Sequence, residues 1–331
     1  MEKNQQPKEQ FKTMIGGQAL IEGIMMRGPE KDAIVVRQNG GLNIEVRPRK
    51  IPPKNSVLNW PFIRGVRNFF DSQVTGVKAL MHSADLSPEE TEEEPSKFDQ
   101  WLEKKLGNEK FQQYVIGFAV FLGLAMSIGL FFLLPSLISG LIDRWLPNNL
   151  VLNLVEGLIR MVIFMGYMFL VSRMEEMKRV FAYHGAEHKT IRCYEAGLEL
   201  TVENVRKMTR LHPRCGTSFL LVVMVISILV FSVASSGLLA LFPGLADMQG
   251  SFLYRLIMIV FKLLLLPLVV SVTYELNRWI GRHDNWFTRA LSAPGMWMQN
   301  FTTNEPDDSM IEVGIAAVKA VLPEEKGADM W

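Results

Sequence analysis

The sequence predicts a mainly α-helical fold: a four-span transmembrane helical bundle with a small N-terminal α+β cytoplasmic part. Three observations predict it. The 331 residues are 49% hydrophobic at a net charge of +1, and the apolar ones gather in long blocks instead of recurring periodically. Strand-like alternation around a turn is confined to the first fifty residues, and Lys and Arg fall mostly on one side of the apolar blocks.

The N-terminal elements come first. Residues 33–36 and the alternating run 42–46 flank Asn39, Gly40 and Gly41, a hairpin turn signal. Residues 16–23 are apolar with glycines at both ends and read as a further strand, in which Glu22 is either an exposed carboxylate or a group directed at a site. From Pro61 to Asp85 apolar residues recur at helical spacing with Arg64, Arg67 and Lys78 among them. Such a helix either packs on the hairpin, which needs a partner for its face, or lies on an anionic leaflet; packing is the expectation.

Four blocks of about 20 apolar residues or more then read as spans, at about 115–141, 154–172, 218–242 and 251–276. The first contains Pro135, a site for a kink. The second carries Glu156 and Arg160, an i,i+4 pair that can neutralise itself facing the bundle interior. Basic residues precede the first span and crowd the connection between the second and third, whereas the two short connections hold only Arg144. The positive-inside rule therefore puts both termini and the long loop in the cytoplasm, within a cell (inner) membrane. The polar start, residues 1–12, has no apolar h-region, so no cleavable signal is expected. These signals divide the chain into a disordered N-terminus (1–13), an α+β region (14–86), an acidic linker (87–97), a membrane domain (98–276) with its cytoplasmic loop at 173–217, and a cytoplasmic tail (277–331).

That loop holds the chemistry. Of five histidines in the chain, His184 and His188 sit four residues apart with Glu187 beside the second. On a helix the two imidazoles lie about 40° apart, which suits chelation of one metal ion and leaves the carboxylate free to move a proton. No proline interrupts the run from the second span, so one helix is expected to continue to Gly197. Glu195 lies about 10 Å along the axis from His188, too far to be a ligand. Both cysteines, Cys193 and Cys215, fall in the loop, where a structural disulfide is not expected. His212 and Cys215 are the best further donors, and Glu275, at the end of the fourth span, is another. A divalent metal, zinc by its donors, would be held by His184, His188, His212, Cys215 and Glu275 in some combination, with Glu187 as general base toward metal-activated water.

Two alternatives stay open. The cluster could be a structural metal site in a non-enzymatic scaffold or transporter subunit, or Cys215, just ahead of a helix N-terminus, could be a nucleophile with His212 as base. Nucleotide-binding glycine motifs and C-x-x-C are absent, and the loop's basic residues are explained by topology and anionic lipid, so the bilayer and not nucleic acid is the expected partner.

The segments GGQALIEGIMMRGP at 16–29, YHGAEHKT at 183–190, HPRCGTSF at 212–219 and APGMWMQNFTT at 293–303 resemble those of the YqhQ-like family of bacterial multi-pass membrane proteins. The resemblance runs from Met14 to Leu322. It implies an inner-membrane protein of a family of unknown function, described as predicted metal-dependent enzymes, with His184, Glu187, His188, His212 and Cys215 in the metal role. It implies no substrate.

Overall fold

The computed structural model describes residues 10–53, 55–87, 108–142, 145, 149–283, 285–325 and 327–330. The fold is mainly helical with one small N-terminal sheet, and it divides into two compact units, residues 1–87, 167–227 and 265–331 in the first and 88–166 and 228–264 in the second. The expected acidic linker lies, apart from Ser87, outside the described residues.

In the first unit, strands β1 (Gly16–Leu20), β2 (Gly23–Arg27), β3 (Lys31–Gln38) and β4 (Gly41–Pro48) form an antiparallel meander in sequence order. The β3–β4 turn is the one read from the sequence, with Asn39 and Gly40 at φ 48° and 80°. The apolar run 16–23 folds as β1 plus a tight turn, in which Glu22 takes a positive φ of 52°. Glu22 neither stands free nor points at a metal donor: it pairs with Arg179 and accepts from the Tyr183 hydroxyl at 3.2 Å, pinning this turn to the helix that carries the histidines.

β2 and β3 are buried on both faces, which is why they read as continuous apolar runs. One face, with Ile24, Met26, Ala33 and Val35, packs against helices α5 (Glu175–Glu195) and α11 (Asp308–Val321). The other, with Leu20, Met25, Ile34 and Val36, packs on Ala79 of α1 (Ile63–Leu86). Each of the buried Leu, Ile, Val and Met side chains contributes about 1.5–3 kcal/mol. Helix α11 is capped by Asp307, which accepts from the Met310 N–H at 2.9 Å.

The site helix α5 does not continue the helix before it. α4 (Asn149–Val171) stops, Met174 is extended at ψ 136°, and α5 begins afresh with Glu175 and Glu176 in its first turn. Two acids at a helix start favour a new N-terminus there, and the Arg173 guanidinium lies 4.7 Å from the Phe169 ring at the break. The expected single helix to Gly197 is thus two.

The remaining helices are α2 (Asn108–Ile128), α3 (Leu134–Ile142), α6 (Val202–Arg206), α7 (Gly216–Leu241), α8 (Phe252–Leu264), α9 (Leu266–Arg282) and α10 (Trp286–Thr302). Three helical stretches among the described residues, 117–142, 150–171 and 219–241, are long and apolar enough to cross a membrane, and the pair α8–α9 makes a fourth if its 40° bend is one broken span. The sequence predicts one span over that fourth stretch; Pro267, in the first turn of α9, lacks the N–H that would continue a single helix.

In the second unit, Pro135 acts through the turn before it. Gly129–Leu133 is π-helical, and the Phe131 carbonyl, which would bond the missing proline N–H, accepts from Arg160 Nε at 2.7 Å. Arg160 also bonds Glu156 at 2.9 Å, and Lys262 of α8 reaches both Glu156 oxygens at 2.7 and 2.8 Å. The pair seen in the sequence is a buried triad.

Candidate metal centre

Helix α5 can reach its position because residue 185 is glycine. A Cβ there would stand 2.0 Å from the Asn304 carbonyl oxygen, so any side chain would push away the segment that follows α10. That segment is fixed to α5 by the Asn304 N–H on the Phe181 carbonyl at 2.8 Å and by Asn304 Nδ2 on the Lys178 carbonyl at 2.9 Å.

On α5, the His184 and His188 rings lie with centroids 4.3 Å apart. His184 Nδ1 is 2.7 Å from the Thr302 carbonyl and His188 Nδ1 is 2.6 Å from the Arg210 carbonyl. A carbonyl only accepts, so each Nδ1 carries a proton, and in the neutral ring Nε2 presents the lone pair. This is the arrangement that orients metal-binding imidazoles. His184 Nε2 lies 3.1 Å from Cys215 Sγ, while His188 Nε2 is buried without a hydrogen-bond partner. The donor atoms of His184, His188 and Cys215 all fall within 4.8 Å of one another, in a cluster that as a whole is buried and could hold a metal ion.

Glu187 stands beside this group. Its Oε1 accepts the Gly17 N–H of β1 at 2.9 Å, and its Oε2 is buried without a partner. Residue 17 is also a close approach: a Cβ would lie 3.0 Å from Glu187 Cδ and 2.7 Å from the Met25 carbonyl. Burial holds the Glu187 carboxyl above the usual range, against the pull of the two histidines. Burial alone would depress the His184 imidazole, but the Cys215 thiolate, Glu187 and the Thr302 carbonyl outweigh it and push it up to about 9. Burial likewise raises the Cys215 thiol, and the charges of His188 and His184 more than reverse that, taking it well below its ordinary value.

His212, expected as a ligand or as the base for Cys215, is outside the donor group. Its Nε2 is 3.2 Å from Glu195 Oε2, and its backbone N–H and carbonyl are both taken by the Gln299 amide at 2.8 Å. Burial, then the charges of Arg214, His188 and Arg192, keep this imidazole neutral. The group that meets Cys215 is His184. Glu195, placed too far for a ligand, is fully buried and collects His212, Arg214 and the Thr13 N–H at 2.9 Å, bracing the loop that delivers Cys215. Glu275 is not brought to the cluster: Arg64 binds its carboxylate, with Nε at 2.7 Å, where α9 packs on α1.

Sequence reasoning missed the supporting groups. Thr302 and Arg210 act through backbone carbonyls, which no side-chain pattern announces. Thr302 ends α10, so His184 takes a carbonyl that the helix leaves unpaired, and Arg210 itself donates to Thr303 and to the Gln299 carbonyl at 3.4 Å. The segments 16–29 and 293–303 were visible as motifs without a role; here they supply Gly17, Gln299 and Thr302.

A family model described as "Protein of unknown function (DUF1385)" matches residues 60–324. The chain is similar to the "Uncharacterized protein YqhQ" of Bacillus subtilis (strain 168), 32% identical over 315 residues that cover 93% of this chain and 92% of that one. No solved structure matches.

Proposed function

The chain belongs to the DUF1385 family, whose function is unknown, and on that premise we propose that it is an integral membrane hydrolase using a divalent metal held by His184, His188 and Cys215. The observation that carries the reading is the buried His188 Nε2 with no partner, beside a His184 Nε2–Cys215 Sγ contact of 3.1 Å. A buried polar atom left unpaired costs about 1–3 kcal/mol, and a metal bond removes that cost. Two imidazoles and one thiolate suit zinc, and three protein ligands leave a position open.

When bound, the metal supplies Lewis acidity and an activated water. The chain's own residues do the rest. The Thr302 and Arg210 carbonyls hold both imidazoles in the Nε2-donor tautomer. Gly17 N–H fixes Glu187 through Oε1, leaving Oε2 to accept a proton from the attacking water and return it to the leaving group of an amide or ester. Glu195, through His212 and Arg214, keeps the Cys215 loop in place.

The membrane part of the reading rests on large apolar side chains that stay exposed along the candidate spans, such as Phe121, Leu124, Val162 and Val233. In water such surfaces would drive aggregation; in a bilayer they are matched. The distribution of Lys and Arg supports a cytoplasmic site and cytoplasmic termini within this reading.

A second reading, favoured by the 3.1 Å contact and the depressed thiol, makes Cys215 a metal-free nucleophile with His184 as its base. Cobalt(II) titration of the purified protein separates the two. The metal reading expects one equivalent bound with a thiolate-to-cobalt charge-transfer band, kept in Glu187→Gln and lost in Cys215→Ser. Absence of the band in the wild type would overturn it.

A further inference from the structure

We propose that α1, with the turn at residues 57–62 that leads into it, lies along the lipid–water interface with an apolar stripe in the bilayer. This rests on the membrane reading of the candidate spans above. The residues α1 buries are small: Gly65, Gly76, Ala79 and Ser83. Its large apolar side chains face the other way. Ile63, Phe70, Val74, Val77 and Met81 are all exposed, Phe70 by 58% and Val77 by 51%. At 100° per residue they fall within about 60° of arc, opposite the buried four.

The stripe cannot turn inward, because the other face is locked. A Cβ on Gly65 would come 3.0 Å from Tyr274 Cβ and 3.1 Å from Ser271 Cα, so α1 lies directly on α9. Ser271 Oγ donates to the Phe62 carbonyl at 2.8 Å, Asn68 Nδ2 to the Tyr274 hydroxyl at 2.7 Å, and Arg64 grips Glu275. Along the flank, Arg27 reaches Asp71 at 3.0 Å and His82 lies 3.0 Å from Glu45. Burying the stripe within this chain would mean breaking all of these.

Continuity identifies what covers it. The inner face of α1 packs on α9, which with α8 is long and apolar enough to cross a membrane if the bend is one broken span, so the apolar medium around that span would border α1 as well. The tryptophans agree. All four described in this unit, Trp60, Trp279, Trp286 and Trp297, are exposed, although Trp is among the most buried residues on average in soluble folds. Indoles with one wet and one apolar side gather at the headgroup level. Arg67 and Lys78 edge the stripe, where long cationic side chains can reach headgroups while their stems stay apolar. A second copy of the chain fits less well. A zipper along Ile63, Phe70, Val74, Val77 and Met81 would place Arg67, whose guanidinium bonds Asn59 and Asn68, among its core positions.

The test uses the full chain reconstituted in liposomes, with an environment-sensitive fluorescent amino acid placed singly at Phe70, Val77, Ser72 or Phe121. Ser72 is exposed on the opposite side of α1, and Phe121, 66% exposed, is on a candidate span. Lipids brominated near the headgroup should quench the probes at Phe70 and Val77 severalfold more than the one at Ser72. Lipids brominated at mid-chain should quench most at Phe121. If Phe121 responds while Phe70 and Val77 match Ser72, the interfacial helix is overturned and the membrane reading stands. If Phe121 does not respond, the membrane reading falls and takes this inference with it. Blue-shifted but unquenched probes at Phe70 and Val77, reverting on dilution into excess lipid, would mean that a second copy covers the stripe, which also overturns it.

Discussion

At the candidate metal centre, His188 Nε2 and Glu187 Oε2 are buried with no hydrogen-bond partner, while in the cluster of Glu156, Arg160 and Lys262 every carboxylate oxygen meets a cation and Arg160 Nε has the Phe131 carbonyl. Both clusters are buried and built from ionisable side chains. The triad closes on itself, and the histidine cluster keeps two buried atoms without a hydrogen-bond partner. Burial of charge alone therefore does not separate the two clusters; incomplete satisfaction does, because an unmatched buried donor or acceptor costs free energy that a ligand can restore.

The sharpest way to break that comparison is to open the triad. Glu156→Gln removes the one carboxylate between two buried cations and should cost about 3–5 kcal/mol, read as a lowered denaturation midpoint in detergent. Replacing all three together (Glu156→Leu, Arg160→Met, Lys262→Met) should cost far less, since no charge is then stranded. A triple variant as unstable as the single one would mean that the triad does more than satisfy itself. At the open cluster the corresponding change works in the other direction. Glu187→Gln should leave folding and bound metal intact and lower hydrolysis of an ester or amide by about 10²–10⁴-fold; loss of metal would make Glu187 a ligand.

A smaller effect is expected from closing the space that lets α5 in. Gly185→Ala puts a methyl 2.0 Å from the Asn304 carbonyl and should cost about 1–3 kcal/mol with a parallel loss of metal affinity. Unchanged metal content and stability would show that the segment after α10 is not what positions the histidines.

The least disruptive prediction concerns pH in metal-free protein. His184, raised from 6.5 to about 9, gives stability that is complete below pH 6.5 and lost as pH rises through 9. Cys215, depressed from 9.0, gives stability that is complete above pH 9 and lost as pH falls toward its lowered value. Between about 6.5 and 9 the two trends offset and above 9 neither changes, so the contribution of the pair is level from about pH 6.5 upward and falls only on the acid side. Cys215→Ser should abolish that plateau in denaturation midpoints measured against pH.

Local signals were legible. The spacing of His184, Glu187 and His188 and the Asn39-Gly40 turn each act within a few residues, and each holds in the fold. Groups joined across the chain were not. Nothing near Glu275 announces Arg64, 211 residues away, and nothing near Glu156 announces Lys262. His212 and Cys215 are close in sequence, yet the loop turns one toward Glu195 and the other toward His184. Helix breaks lay between these extremes. Pro267 marks the bend between α8 and α9 in plain view, while the break before α5 depends on two glutamates that also suit a helix interior.

The central claim is that His184, His188 and Cys215 hold a metal ion. Elemental analysis of the full chain, purified without chelators, beside the His188→Ala variant tests it most directly. The account predicts close to one equivalent of a divalent metal, zinc first, in the wild type and a small fraction of that in the variant; equal and near-zero metal in both would contradict it.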